Sequence, residues 1–161
     1  MWEIVAPTQT EDWILPFGRA ILLDMNDCIF CKIIRDDLPS YKIYETDETL
    51  CFLDIHPVSK GHALIVPKNH SENLFDITAK DWASVSETAR VVAIALEKSL
   101  DADGVNLGMN NREHAGQVVF HPHVHLIPRF KGDGLRTWPH DSYKEGEPET
   151  LAEKIRATLK N

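Results

Sequence analysis

Three of the chain's eight histidines stand at alternate positions, His121, His123 and His125, in the run Gly116-Gln117-Val118-Val119-Phe120-His121-Pro122-His123-Val124-His125-Leu126-Ile127-Pro128-Arg129. Successive side chains of a β-strand point to opposite faces. A strand here puts all three imidazoles on one face and Pro122, Val124 and Leu126 on the other. Helical spacing, about 100° per residue, would spread the histidines over roughly 400° of arc. Two chemistries suit the clustered arrangement. A neutral imidazole is a competent nucleophile near pH 7, because its reference pKa leaves much of it unprotonated. Two histidines at i and i+2 can also chelate a metal. One ion cannot take all three, since His121 and His125 lie about 13 Å apart at ~3.3 Å per residue. A second constellation is Cys28-Ile29-Phe30-Cys31, whose two-residue gap lets both thiolates reach one tetrahedral zinc. A dithiol pair is the other reading, although no thioredoxin-like context surrounds it.

These residues need elements to hold them. Residues 28–35 read as a short helical turn carrying the cysteines, broken at Leu38-Pro39-Ser40. Lys42 to Glu45 and Leu50 to Asp54 read as paired strands around the polar turn Thr46-Asp47-Glu48. His62 to Val66 is a third strand, ended by Pro67, and Cys51 is expected to be a buried, inert thiol. From Thr78 the period becomes helical. Trp82, Val85, Ala89, Val92, Leu96 and Leu100 recur three or four apart on one face. Thr78-Ala79-Lys80-Asp81 resembles a capping box with Asp in place of Glu, and Gly104 is placed to stop the helix. Val105 to Met109 is a fourth strand, Asn110 to Ala115 a polar loop, and the histidine strand follows. A closing amphipathic helix from Thr150 carries Leu151, Ile155 and Leu159. Mostly antiparallel strands with two substantial helices make this an α+β chain.

A length of 161 residues suits one domain with one core. Net charge is −8, which argues against a sequence-independent grip on DNA or RNA, since that needs clustered Lys and Arg. No apolar run approaches the ~20 residues needed to cross a bilayer. Three cysteines, two of them as Cys-x-x-Cys, point to metal in a reducing compartment rather than to disulfides. A cytoplasmic location is the expectation. Residues 1–24 lack a signal-peptide layout. They carry Trp2, Trp13, Ile14, Leu15, Phe17, Ile21, Leu22 and Leu23, too apolar for an obvious disordered tail.

Four motifs in order resemble the histidine-triad (HIT) family of nucleotide hydrolases and transferases. They are Cys28-Ile29-Phe30-Cys31-Lys32-Ile33-Ile34, Asp54-Ile55-His56-Pro57, Gly61-His62-Ala63-Leu64-Ile65-Val66-Pro67-Lys68, and the histidine run with its preceding Ala-Gly-Gln. The resemblance covers roughly residues 27–137. It implies a HIT-like fold with a five-stranded antiparallel sheet, one long helix and one C-terminal helix, in a homodimer. The expected organisation is an extension over 1–24, a HIT domain over 25–137, and a tail with a helix over 138–161.

By resemblance, His123 is the nucleophile that forms a covalent nucleotidyl-histidine on the α-phosphorus, later hydrolysed by water. His125 and His62 flank it and stabilise phosphoryl charge. Asn110 contacts the phosphate or leaving group, or is simply a turn residue. Gly116 allows close backbone approach, and Gln117 orients that loop. Asp54 is the ribose-binding acid, and Phe30, Ile33, Leu38, Ile55 and Leu64 form the base pocket or the core. The metal set is Cys28, Cys31, His70 and His121, holding a structural zinc and making His121 a brace. Many relatives carry Ser or Thr where Val118 stands, and valine cannot donate a proton. The expected activity releases a nucleoside monophosphate, AMP first, from phosphoramidate-type conjugates of a purine nucleotide. Diadenosine polyphosphate hydrolysis and a non-catalytic nucleotide-binding module are the alternatives.

Overall fold

The computed structural model describes residues 27–136 and 138–159; the expectations for residues 1–24 lie outside them. Contacts divide the chain into two compact units after Phe130. The first unit holds α1 (Ile29–Ile34), β1 (Lys42–Glu45), β2 (Thr49–Leu53), β3 (Ala63–Pro67), α2 (Ala79–Leu100), β4 (Gly104–Gly108) and β5 (Val124–Arg129), with a short 3-10 turn at Glu113–Ala115. The second unit holds α3 (Glu147–Leu159). Its apolar stripe of Leu151, Ile155 and Leu159 is exposed.

The five strands form one antiparallel sheet in the order β1-β2-β3-β5-β4. Period-two alternation sorts its side chains between two layers. Cys51, Ala63, Ile65, Val124 and Leu126 face α2 and meet Val85, Ala89, Val92 and Leu96. Leu50, Phe52, Leu64 and Val66 face the other way, against Phe30, Cys31 and Ile33 of α1. Both faces of β2 and β3 are therefore covered, which is why these strands read as unbroken apolar runs. Cys51 is fully buried, and burial pushes its thiol up to about 12, as suits an inert packing residue.

Thr78 caps α2: its Oγ1 accepts from the Asp81 N–H at 3.1 Å and donates to the Asp81 carboxylate at 2.7 Å. Asp81 also accepts from Asn69 Nδ2 at 3.0 Å, tying the loop after β3 to the helix start. The expected stop at Gly104 is corrected. Asp101 ends α2 in the left-handed region at φ 52°, which a short polar side chain tolerates, and Gly104 opens β4. Gly61 is a glycine by necessity: its φ is +84°, and a Cβ there would overlap Leu100 Cδ1. That turn delivers His62 to the mouth of β3.

The histidine strand is also shorter than expected. β5 begins at Val124, so only His125 of the three lies in it. The residues before it run through bends, because β3 pairs with β5 no further back than Val124. The face assignment survives: Val124 and Leu126 go to the α2 side, while His121 and His123 meet Phe30 on the other.

Candidate active site and metal cluster

Three hydrogen bonds determine which nitrogen of each histidine carries its proton. His123 Nδ1 lies 2.7 Å from the His121 carbonyl, which can only accept, so Nδ1 holds the hydrogen. Nε2 is left with a free lone pair. His62 Nδ1 accepts from the Val58 N–H at 3.2 Å, which puts the His62 proton on Nε2. That Nε2–H donates to His125 Nδ1 at 2.9 Å, so neutral His125 must carry its own proton on Nε2. The backbone at Val58 thus sets, through two rings, a donor at the far nitrogen of His125. The His125 ring centroid lies 5.1 Å from those of both His62 and His123.

Burial pushes the pKa values of His62 and His123 down. It pushes His125 to about 4, helped by the positive charge that His123 and His62 would carry. The Asp54 carboxylate opposes all three shifts. Its Oδ2 stands 3.6 Å from His62 Nδ1, and its Oδ1 accepts from the His56 N–H at 2.8 Å. The three histidines are neutral near pH 7.

A cleft of about 490 Å³ opens beside them. His123, His125 and Asp54 line it together with Phe30, Ile33, Leu38, Ile55 and Leu64. Asn110, Gly116 and Val118 line it as well. Asn110 Nδ2 donates to the Gly116 carbonyl at 3.3 Å, and Gly116 sits at φ +85° with no side chain in the way. His62 and Gln117 are brought close but do not line the cleft. Gln117 is buried with every polar group in use. Its Nε2 donates to the Glu72 and Val119 carbonyls at 2.6 and 3.0 Å, and its Oε1 accepts from the Arg112 N–H at 2.6 Å. It pins the loop before the histidines to the loop after β3, a positioning role. Phe52 and Val119 line the cleft too, and sequence reasoning missed both. Phe52 was within reach, since it stands two residues before Asp54 on an alternating strand. His56 lines the cleft at its exposed edge, whereas His114, in the 3-10 turn, and His140 are exposed and do not line it. Lys68 pairs with Glu45 at 2.7 Å and Arg129 with Asn106, away from the cleft.

The cysteines lead to a different place. Cys28 Sγ lies 3.5 Å from His121 Nδ1, and Cys31 Sγ lies 3.6 Å from it and 3.3 Å from His70 Nδ1. The two Nδ1 atoms are 3.2 Å apart. A tetrahedral ion with sulfur at ~2.3 Å and nitrogen at ~2.0–2.1 Å has ligand–ligand edges of roughly 3.3–3.8 Å. The four donors fit a zinc ion. His121 Nε2–H donates to the Pro67 carbonyl at 2.8 Å, so its Nδ1 lone pair is the one turned to the thiols, as a metal-binding imidazole requires. Burial raises the Cys31 thiol to about 11, with the adjacent Cys28 adding to the effect. These contacts add two imidazoles to the thiol pair and make a four-donor set that could hold a metal ion. They also place His121 in the cluster, outside the cleft lining.

A HIT domain model matches residues 35–132. The chain belongs to the HIT family. It is 42% identical over 137 residues to Protein hit of Bacillus subtilis, covering 83% of this chain and 94% of that one. It is 43% identical over 119 residues to the adenylylsulfatase HINT3 of Arabidopsis thaliana (74% of this chain, 59% of that one). It is 37% identical over 139 residues to adenosine 5'-monophosphoramidase HNT1 of Candida albicans (82% and 91%). Among solved structures, one from Streptococcus mutans superposes with a TM-score of 0.80 at 38% identity, covering 96% of this chain and 99% of that one. A zinc-bound histidine triad protein of Mycobacterium smegmatis gives 0.67 at 34% (83% and 99%). In broad class this HIT chain is a nucleotide-binding hydrolase. No described helix is long and apolar enough to cross a membrane.

Proposed function

We propose that this HIT protein releases a nucleoside monophosphate, AMP first, from a conjugate joined at the α-phosphate through a P–N or P–O bond. The observation that carries the reading is the 2.7 Å bond from His123 Nδ1 to the His121 carbonyl, which leaves Nε2 as a lone pair beside the cleft. In the first step the Nε2 lone pair attacks the α-phosphorus, and the leaving group departs with the electrons of its bond to phosphorus. In the second, water attacks that phosphorus, the P–N bond breaks with its electrons returning to Nε2, and the proton lost by the water passes to solvent.

The His125 Nε2–H donates to the charge that builds on the phosphoryl oxygens, and His62 holds it in that tautomer. Asn110 and the open backbone at Gly116 receive the phosphate. Asp54 keeps lone pairs free for ribose hydroxyls after accepting from the His56 N–H. Phe30, Ile33, Leu38, Ile55 and Leu64 form an apolar slot for the base. Zinc at Cys28, Cys31, His70 and His121 is structural in this reading. It joins α1, the loop after β3 and the approach to β5. A homodimer built on the β4 edge, where Leu107 is exposed, and a cytoplasmic location complete the proposal.

The test is rapid-quench intact mass with a fluorogenic adenosine phosphoramidate and with an adenylyl anhydride. A one-AMP adduct on the wild type, absent in His123→Ala, is the expected result. Tight AMP binding with neither adduct nor turnover of any conjugate would show a binding module instead.

A further inference from the structure

We propose that Asn111, Arg112 and Phe75 clamp the phosphate-receiving loop to the loop that offers His70 to the metal cluster, so that the metal and the phosphate of a bound nucleotide hold each other in place. The inference rests on the phosphate lying at Asn110 and Gly116, as proposed above. It gives positioning roles to three residues outside the cleft lining.

The two loops are rigid for different reasons. Between β3 and α2 the chain has neither helix nor strand, and side chains do the bracing instead. The Asp76 carboxylate accepts from the Glu72 and Asn73 N–H groups, both at 2.8 Å. The buried Asn73 accepts from the Phe75 N–H through Oδ1 at 3.0 Å. Asn69 ties the start of the loop to Asp81 on α2. A segment with its polar groups satisfied in this way moves as a body.

The second loop is held against its own preference. Arg112 takes φ 69° and ψ 163°, a backbone conformation that glycine adopts and a side chain disfavours. Such a residue persists only where its surroundings over-determine it. The Arg112 N–H donates to Gln117 Oε1 at 2.6 Å, and the Arg112 carbonyl accepts from the Ala115 and Gln117 N–H groups, both at 3.1 Å. This strained residue stands between Asn110 and Gly116, two positions that line the cleft.

Three contacts join the loops. The Leu74 N–H donates to Asn111 Oδ1 at 2.8 Å, and Gln117 Nε2 donates to the Glu72 carbonyl at 2.6 Å. The Arg112 guanidinium lies 4.5 Å from the centroid of the Phe75 ring, a cation–π contact. Phe75 is 68% exposed, so core packing does not account for an aromatic ring at that position. His70 lies two residues before Glu72, and Asn110 is the neighbour of Asn111. A displacement at the metal cluster therefore reaches the phosphate-receiving groups through few links. Sites joined through one element are coupled reciprocally, each changing the affinity of the other by the same factor.

A second route has to be separated from this one. Cys28 and Cys31 flank Phe30, and α1 carries Ile33, so a nucleoside alone can act on the cluster through the base slot. The difference between AMP and adenosine isolates the phosphate.

The experiment measures the zinc affinity of the full chain by competition with a chromophoric chelator, without nucleotide and with saturating AMP or adenosine. Calorimetry gives the affinity of the zinc-loaded chain for each nucleotide. AMP is expected to raise zinc affinity by roughly fivefold more than adenosine does, the lower end of coupling between linked sites. Asn111→Ala and Phe75→Ala are each expected to reduce that excess to about twofold or less. Asn111→Asp, which keeps the acceptor, and Phe75→Trp, which keeps an aromatic face for the guanidinium, are expected to retain it. Equal effects of AMP and adenosine on zinc, an excess that survives both alanine variants, or a chain that binds no zinc overturns the clamp. AMP binding no tighter than adenosine to the wild type removes the phosphate from Asn110 and Gly116, and the reading beneath the inference falls with it.

Discussion

His62 meets the cleft histidines through its 2.9 Å bond to His125, and a double-mutant cycle can read whether its effect on the reaction passes through that ring. Deleting a preorganised donor to a developing oxyanion costs about 10²–10³ in kcat, and this is the expected loss for His125→Ala. In this relay His62 acts through the 2.9 Å hydrogen bond that selects the His125 tautomer. A buried bond of this kind is worth about 1 kcal/mol net, so His62→Leu is expected to lower kcat by roughly five- to tenfold. With the ring of residue 125 gone, there is no tautomer to select, and His62→Leu in the His125→Ala background is expected to cost almost nothing. His62→Gln is expected to recover most of the loss, because a glutamine amide places an N–H near the position of the imidazole Nε2. The assay is single-turnover formation of the AMP adduct, with thermal melts to confirm that each variant is folded. Fully additive losses, or a glutamine variant no better than leucine, would refute the relay and make His62 a direct phosphate ligand.

Other outcomes follow from the same geometry. Metal emission on the purified protein is expected to give one zinc per chain. Cys28→Ala is expected to lose that zinc and several kcal/mol of stability, a melting temperature lower by about 10 °C or more; full metal content and an unchanged melt in that variant would remove zinc from the account. Acid is expected to destabilise the fold well before carboxylates protonate. The unfolded chain takes a proton on residue 125 below its ordinary value of 6.5, while the folded chain resists until about 4, so stability falls with pH through that window. His125→Gln is expected to flatten the slope of melting temperature between pH 7 and 5, and an identical slope would show that this histidine is not held neutral. Gly61→Ala is expected to cost about 2 kcal/mol or more, from the left-handed backbone and the overlap with Leu100 Cδ1, as read in a urea melt.

Much of this molecule is determined by local rules that a single sequence displays. The short apolar runs Thr49–Leu53 and Ala63–Pro67, bounded by turn residues, and the three-to-four spacing of Val85, Ala89, Val92 and Leu96 on a backbone period of 3.6 residues, are signals of this kind. The gap between Cys28 and Cys31 is likewise local, one turn of a helix. Two boundaries escaped because local signals compete. Gly104 looks like a helix stop, yet Asp101 can take the left-handed turn earlier. The alternating histidines look like one strand, yet β3 offers them a partner only from Val124 onwards.

What tertiary structure alone decides is everything that depends on residues distant in sequence. His62 and His125 are 63 positions apart, and their tautomers depend on the Val58 N–H, which no side-chain pattern announces. His121 goes to the cysteines rather than to the cleft because the Pro67 carbonyl holds its other nitrogen. Gln117, suggested by its place in a motif, turns out to spend all its hydrogen bonds on backbone. Side-chain types and spacings are properties of the chain and can be read from it. A lone pair's direction is a property of what the fold places opposite it.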